Sequence, residues 1–310
     1  MSAVGGRVAQ FVLDDVYHGI LEHAPPLRPI ARSIAQVASF ACVPEWRRNL
    51  LCNARLALGP NASQLECATC AFRMLGAMQG FITDVITSRE TSPAELCARV
   101  HSFEGTDAYL NARSLGRGAV ITGIHLGPFE PALATLRTLE PRVHVLSQPD
   151  PMPRFERARR ALRERLGIIE HHVSDGVRAW GELLDALRSN EVVVIHADRV
   201  MPGQVGVPMS FLGMRDAVLP PGPLRLAATH GSPIVPTFCA RTRDGLRVWA
   251  DGFIPTTVSQ LSASDVAQHP AQQALIAAME RTIRHHPEQW MAFMNLNPTR
   301  ASNRMVKGDA

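Results

Sequence analysis

The stretch Gly118–Leu136 reads G-A-V-I-T-G-I-H-L-G-P-F-E-P-A-L-A-T-L, and the rest of the chain is arranged around it. Residues 119–124 form a continuous apolar run with one Thr and one Gly, which is typical of a strand buried on both faces. The part that follows has helical periodicity and a first-turn proline, which predict a helix beginning at Glu130. His125 therefore stands where a strand ends, and residues 126–129 form a turn.

This turn is expected to bring the carboxylate of Glu130 back towards the imidazole of His125. An imidazole held in one tautomer by a carboxylate can take a proton from a hydroxyl or an amine near neutral pH. The spacing alone is weak evidence, because 12 His and 28 acidic residues give roughly one H-x4-[DE] match by chance. A His that caps a strand end and bonds to the backbone is the alternative.

The pattern along the chain predicts an α/β fold. Residues 1–99 read as an N-terminal helical cap, residues 100–300 as an α/β core with a mainly parallel sheet flanked by helices, and residues 301–310 as a flexible tail. Strands are predicted near 118–124, 143–147, 168–171, 191–197, 233–240 and 246–253. Helices are predicted near 7–23, 27–43, 44–58, 63–88, 106–115, 131–139, 154–166, 176–189, 220–230 and 266–286. Asp244-Gly245 is a hairpin signal, so the last two strands are expected to be antiparallel.

Two groups of polar residues follow buried strands. His125 follows one strand, and Asp198 with Arg199 follows another, which reads V-V-V-I-H-A. Because ligands collect at the carboxyl ends of strands in open α/β sheets, both groups are expected on one rim. Buried charges are costly unless they are paired or used, so a structural ion pair is the alternative for the second group. His196 is expected to face the core.

Composition excludes several classes of protein. With 46% hydrophobic and 19% charged residues in 310, the chain can bury one large core and is not disordered. A net charge of +4 is too small to indicate nucleic acid, but it suits an anionic membrane surface or an acidic carrier protein. The six cysteines are scattered and are expected to be reduced, without a metal site.

The sequence shows neither a signal peptide nor an apolar run long enough for a membrane span. The expected location is therefore cytoplasmic, with contact only from the surface of the membrane on its cytoplasmic face. Helix 27–43 has an apolar or small face beside Arg28 and Arg32. We expect this helix to face the core, and a position on a bilayer is the alternative.

Five blocks of sequence resemble, in order and spacing, the lysophospholipid acyltransferase superfamily. The similarity is greatest to the branch that contains bacterial lipid A late acyltransferases and mycobacterial phosphatidylinositol mannoside acyltransferases. It extends from about Arg47 to Pro298. The blocks are G-I-H-L-G-P-F-E at 123–130, H-A-D-R at 196–199, P-M-S-F-L-G at 208–213, P-P-G-P-L-R-L-A at 220–227 and G-S-P-I-V-P-T-F at 231–238.

The resemblance implies transfer of a fatty acyl group from a coenzyme A (CoA) or acyl carrier protein (ACP) thioester to a hydroxyl or amine. The acceptor would be a lipid, a glycolipid or another amphiphile, no cofactor would stay bound, and contact with the inner membrane would be peripheral. His125 would be the general base and Glu130 would orient its ring. Asp198 would position the acceptor, Arg199 would bind a phosphate or the thioester oxygen, and Gly127 is a further substrate-binding candidate. No G-x-S-x-G serine elbow is present, so direct attack by the acceptor is the simpler scheme.

Two further regions carry candidates by resemblance. The 201–219 segment is long for a connection and corresponds to a region that lines the cleft, so Phe211 and Gly213 are substrate-binding candidates, and a simple packed loop is the alternative. Arg154 and Arg157 belong to an arginine-rich helix at 154–165 that suits a phosphate, a carrier protein or lipid headgroups, although a solvated helix face is the alternative.

The chain departs from the lipid A branch at two places. That branch usually begins with a membrane-spanning helix, and it carries an arginine where this chain has Ser147-Gln148. The missing span places the chain closer to peripheral members of the family, and the replaced arginine weakens lipid A as the acceptor. A soluble acyltransferase that tailors secondary metabolites or carrier-bound intermediates, a non-catalytic acyl-chain or lipid-binding protein, and a thioester or ester hydrolase are the alternatives.

Overall fold

The computed structural model describes residues 16–201 and 203–296. These residues form α-helices, which in chain order are α1 His18–His23, α2 Arg28–Cys42, α3 Pro44–Leu58, α4 Gln64–Ser88, α5 Pro93–Cys97, α6 Thr106–Arg113, α7 Glu130–Leu139, α8 Pro153–Arg165, α9 Val177–Arg188, α10 Gly222–His230, α11 Ala263–Gln268 and α12 Pro270–His285. The strands are β1 Val100–Glu104, β2 Ala119–Gly123, β3 Val143–Ser147, β4 Ile168–His172, β5 Val192–His196, β6 Val207–Phe211, β7 Met214–Leu219, β8 Ile234–Arg241 and β9 Leu246–Ala250. The first part of the predicted helix 7–23 and the predicted tail 301–310 lie outside the described residues.

The main sheet has seven strands in the order β1-β9-β8-β2-β5-β3-β4. Neighbouring strands from β8 to β4 are parallel, as helical crossovers between them require. Strand β9 is antiparallel to β8, and the Thr242 N–H donates to the Gly245 carbonyl across the predicted hairpin. The prediction of a mainly parallel α/β sheet flanked by helices is therefore confirmed.

Among the strands, two regions differ from the sequence prediction. The 201–219 segment is not a long loop, because β6 and β7 pair there as an antiparallel two-stranded sheet. Strand β1 was not predicted, since V-H-S-F-E has no apolar run, yet it pairs with β9 and forms the edge of the main sheet. Strand β9 is consequently an inner strand.

The sheet separates two apolar layers, which explains why β2 is apolar on both faces. Val120 packs in a cluster with side chains of α3, α4 and α12, whereas Ile121 packs in a second cluster with α6, α7 and α8. The longest helix in the described residues, α4, begins with a capping box: the Ser63 hydroxyl accepts from the Glu66 N–H, and the Glu66 carboxylate accepts from the Ser63 N–H at 2.7 Å.

Helix α2 lies across α4, and three of its large apolar side chains point outwards. Ala35 and Ser39 are buried against α4, and Phe40 packs on Phe72 of α4, while Ile30, Ile34 and Val37 are exposed. The expectation that α2 faces the core is therefore wrong for Ile30, Ile34 and Val37. Among the helices of the described residues, none combines the length and the apolar character that a membrane span needs.

Candidate active site

The register of two neighbouring strands brings His125 and Asp198 together. In the parallel pair β2–β5, Gly123 lies opposite His196, and the Ala197 N–H donates to the Gly123 carbonyl at 2.8 Å. His125 and Asp198 each follow their strand by two residues, so they leave the sheet side by side. The His125 Nδ1 and Asp198 Oδ1 atoms are 2.7 Å apart.

The second oxygen of the Asp198 carboxylate is held by an indole. Trp290 Nε1–H donates to Asp198 Oδ2 at 3.0 Å, and Arg199 Nη2 lies 3.8 Å from the same oxygen. Burial alone would raise the pKa of Asp198, but His125 and Arg199 together lower it far below its usual range. Asp198 is therefore a carboxylate, and its geometry is fixed from two sides.

The segment around Trp290 also clamps the backbone of the histidine turn. Leu126 and Trp290 form an isolated antiparallel bridge, and the Met291 N–H donates to the His125 carbonyl at 2.8 Å. Arg199 Nη2–H donates to the Met291 carbonyl at 2.8 Å. Residues that are distant in sequence thus fix His125 at both its backbone and its ring.

The environment of His125 keeps its ring neutral. Burial and the guanidinium of Arg199 lower the pKa of His125, although the Asp198 carboxylate opposes this shift. Because the group within hydrogen-bond distance of Nδ1 is a carboxylate acceptor, we assign the proton to Nδ1, which leaves the lone pair on Nε2. The side chain is 26% exposed and lines a cavity, so Nε2 is available as a base.

The carboxylate partner expected for His125 is corrected from Glu130 to Asp198. Glu130 Oε1 and Oε2 accept from the Arg163 guanidinium, with Arg163 Nη2 at 2.7 Å from Oε1 and Nε at 3.1 and 3.2 Å. Arg163 Nη1–H also donates to Glu170 Oε1 at 2.6 Å. Burial would lower the pKa of Arg163, but Glu130 and Glu170 raise it above its usual range. Glu130 therefore belongs to a buried ion network beneath the site.

Gly127 is required by the shape of the turn. Its φ is +62°, and a Cβ at this position would lie 2.4 Å from the Cys239 carbonyl oxygen. Both the left-handed backbone and the close approach of β8 favour glycine. The structure thus gives Gly127, predicted as a substrate-binding residue, a structural role in holding the turn after His125.

A mostly apolar cavity of about 320 Å³ opens beside His125, within the range of small-molecule sites. Part of its polar lining comes from the carboxyl ends of β2, β3 and β5, with His125, Ser147, Gln148, His196 and Arg199, and α8 adds Arg159 and Arg163. Helices α4, α7 and α8 contribute apolar side chains, which include Met78, Phe81, Leu133, Leu136 and Phe155. The cavity therefore joins a basic nitrogen to a surface that suits a hydrocarbon chain.

His196 belongs to this cavity, which corrects the expectation that it faces the core. Its ring centroid lies 4.3 Å from that of His125 and 4.8 Å from that of Phe129. Burial and the neighbouring His125 hold the pKa of His196 well below its ordinary value. A second neutral imidazole therefore lies against the first.

The remaining predicted site residues lie away from this cavity. Phe211 is fully buried, with its ring centroid 6.3 Å from that of Trp290, and Gly213 lies in the turn between β6 and β7. Arg154 pairs with Glu22, and Arg157 lines a separate surface pocket. On the same helix, Arg159 and Arg163 line the cavity instead.

The main site residue that the sequence analysis does not identify is Trp290. It is fully buried, but its indole N–H is part of the site, and no local pattern links it to Asp198 92 residues earlier. Within residues 16–201 and 203–296, no cluster of three or more His, Cys, Asp or Glu side chains is arranged to hold a metal ion.

The chain is similar to proteins of one enzyme class. Residues 24–297 match the family described as bacterial lipid A biosynthesis acyltransferase. A phosphatidylinositol mannoside acyltransferase of Mycobacterium tuberculosis, from strains CDC 1551 / Oshkosh and ATCC 25618 / H37Rv, is 33% identical over 129 residues. This match covers 41% of the chain and 38% of the length of each relative. The family match extends over most of the chain, and the protein belongs to the bacterial lipid A biosynthesis acyltransferase family.

Proposed function

We propose that this protein transfers a fatty acyl group from a CoA or ACP thioester to a hydroxyl or amine of a lipid, glycolipid or other amphiphilic acceptor. The observation that carries the proposal is the 2.7 Å contact between His125 Nδ1 and Asp198 Oδ1 at the wall of a mostly apolar cavity. Membership of an acyltransferase family supports the reaction class. The thioester is a cosubstrate in this scheme, and no cofactor stays bound.

The proposed reaction begins when His125 Nε2 removes the proton of the acceptor hydroxyl or amine. The acceptor oxygen or nitrogen attacks the thioester carbonyl carbon and forms a tetrahedral intermediate. Collapse of the intermediate breaks the carbon–sulfur bond, and the imidazolium returns its proton to the leaving thiolate. The products are the acylated acceptor and the free thiol, and His125 ends neutral as it began.

Asp198 acts on this cycle through the ring of His125. It accepts the Nδ1–H bond, which fixes the productive tautomer, and its negative charge stabilises the imidazolium that forms when the acceptor proton is taken. Trp290 and Arg199 hold the carboxylate in place. Trp290 is thus a positioning residue, because it acts through Asp198.

The cavity supports an acyl chain as the donor group. Apolar side chains from three helices and from the sheet form most of its lining, and burial of a methylene group is worth about 0.8 kcal/mol. We also propose that the acceptor is met at the cytoplasmic surface of the membrane, because the matched relatives are named for phosphatidylinositol mannoside, whose phosphatidyl group is a lipid.

The experiment is thiol release from a panel of acyl-CoA and acyl-ACP donors, with and without candidate lipid acceptors, for the wild type and for His125→Ala. We expect release that depends on the acceptor, and a loss of about 10²–10⁴-fold in the variant. Equal activity of the folded variant and the wild type would remove His125 from the reaction. Release without any acceptor would indicate a hydrolase.

A further inference from the structure

The outer face of α2 carries a continuous apolar ridge, formed by Leu27 just before the helix and by Ile30, Ile34 and Val37 within it. These side chains are 50%, 58%, 63% and 57% exposed. Their spacing of three and four residues places them in one row on the helix surface. A row of large exposed side chains is unusual, because monomeric proteins rarely leave contiguous apolar surface open unless it binds something.

The ridge points outwards because the opposite face of α2 is made for close packing. Its small side chains Ala35 and Ser39 are buried against α4. Where α4 has glycine, long side chains of α2 fill the space: a Cβ at Gly76 would lie 2.7 Å from Gln36 Nε2, and the Gln36 amide donates to the Phe72 carbonyl at 2.7 Å. The orientation of α2 is therefore fixed, and the ridge cannot turn inwards.

The surroundings of the ridge are positive. No Asp or Glu occurs between His23 and Pro44. Beyond the helix, Arg47 donates to the carbonyls of Phe40 and Ala41, and Arg48 is exposed. Glu45 lies next to these arginines and is also exposed, so basic side chains outnumber the acidic one around the ridge. An apolar row with mainly basic neighbours is complementary to acyl chains beneath anionic headgroups.

We propose that this ridge docks the protein on an anionic lipid bilayer, with α2 lying in the plane of the membrane surface. A second copy of the chain fits less well, because an isologous contact would bring the same arginines of two copies together. The purpose of this docking rests on the proposed function, because a docked protein would take its lipid acceptor from the bilayer. Binding to a bilayer is nevertheless measurable without any turnover.

The ridge is also linked to the cavity by packing. Ala35 belongs to the same apolar cluster as Ile82 of α4 and Phe155 of α8, and both of these side chains line the cavity. A single packed layer therefore connects the docking face to the cavity wall. A bilayer on this face would hold acceptor lipids beside the helices that enclose the acyl site.

The test compares two double variants of the full chain. Ile30→Ser/Ile34→Ser removes the centre of the ridge, and Leu110→Ser/Val177→Ser is the matched control at exposed positions on other helices. All four positions are exposed, and serine is close to isoleucine and valine in helix propensity and only somewhat below leucine, so both proteins are expected to fold normally. Binding is measured by flotation with vesicles of phosphatidylglycerol and phosphatidylcholine, and with vesicles of phosphatidylcholine alone.

We expect the ridge variant to lose about tenfold or more in affinity for the anionic vesicles, and the control to bind like the wild type. Equal binding of both variants would overturn the proposal, and so would wild-type protein that stays with neither kind of vesicle. A wild-type protein that is dimeric and does not bind vesicles, together with a monomeric ridge variant, would assign the ridge to a second copy. That result would also overturn the proposal.

An activity measurement separates this proposal from the proposed function. With an acceptor presented in vesicles, the ridge variant is expected to be slower than the wild type. With the same acceptor below its micellar concentration, both should have the same rate. A wild type that binds vesicles but turns over no thioester would overturn the proposed function and leave the docking surface standing.

Discussion

Replacement of Asp198 by Asn tests which carboxylate orients the histidine. The change keeps the size of the side chain but removes the negative charge 2.7 Å from His125 Nδ1. An amide also places an N–H group where the imidazole needs an acceptor, which favours the wrong tautomer. Glu130→Gln is the matched comparison, because Glu130 is the acidic residue that the sequence spacing pairs with His125.

The size of the effect follows from the charge interaction that is lost. Two unit charges roughly 4 Å apart interact by about 4 kcal/mol at an effective dielectric constant of about 20. An imidazolium that forms in the transition state loses this stabilisation in Asp198→Asn, so we expect about a 10³-fold fall in kcat. Because the Asp198 charge raises the pKa of His125, the acid limb of the rate profile should also move to lower pH.

Glu130→Gln should behave differently. The change weakens the buried contacts with Arg163 and is expected to cost about 2–3 kcal/mol in the free energy of unfolding. It leaves the ring contact of His125 in place, so the pH limb should not move. The assay is the pH dependence of thiol release, measured per folded protein with thermal unfolding as the control. A folded Asp198→Asn enzyme with full activity, or a Glu130→Gln enzyme with the greater loss, would refute the reasoning.

Three further predictions concern the same region. Trp290→Phe keeps the packing but removes the indole donor to Asp198. We expect a loss of roughly tenfold in kcat, an unchanged KM for the acyl donor and a shifted pH limb of the rate profile. A lower melting temperature with normal kinetics would make the role of Trp290 purely structural. Gly127→Ala places a Cβ against the Cys239 carbonyl and forces a residue with a side chain to adopt a positive φ. Calorimetry should therefore show a loss of at least about 1–2 kcal/mol in the free energy of unfolding. Unchanged stability would contradict the assigned turn. Wild-type activity should require neutral His125, whose pKa is lowered. As the pH decreases, the rate should therefore stay constant past pH ~6.5 and fall only when the pH passes through the lowered pKa. A rate that already falls above pH ~6.5 would contradict the lowered pKa.

Much of the fold around the site could be predicted from the sequence. The apolar run before His125 predicted β2, and a first-turn proline predicted the helix that starts at Glu130. Convergence of His125 and Asp198 on one rim also followed, because both come after buried parallel strands. These predictions rest on local patterns, and local patterns determine which segments form the sheet.

The sequence did not show which of two carboxylates, Glu130 or Asp198, contacts the ring of His125. Glu130 lies five residues from His125, but its carboxylate binds the guanidinium of Arg163, which lies 33 residues further along the chain on α8. Asp198 reaches the ring because Gly123 and His196 are in register, and pairing register is a property of the assembled sheet. Sequence distance therefore favoured the wrong partner.

The orientation of α2 was also beyond the sequence pattern. An amphipathic helix with one small and one large apolar face can bury either of them. Here α4 offers Gly76 and Gly80, and only the face with small and long polar side chains fits closely over them. Ile30, Ile34 and Val37 are left outside, which is the reverse of the usual expectation.

The most direct test of the proposed function follows a labelled acyl chain. A thioester with a ¹⁴C-labelled acyl group is incubated with a lipid acceptor and with either the wild type or folded His125→Ala, and the label is located in the products. We expect labelled acceptor together with free thiol from the wild type, and neither from the variant beyond background. Labelled acceptor formed equally by both proteins would contradict the assignment of His125 as the base, and labelled free fatty acid alone would contradict acyl transfer.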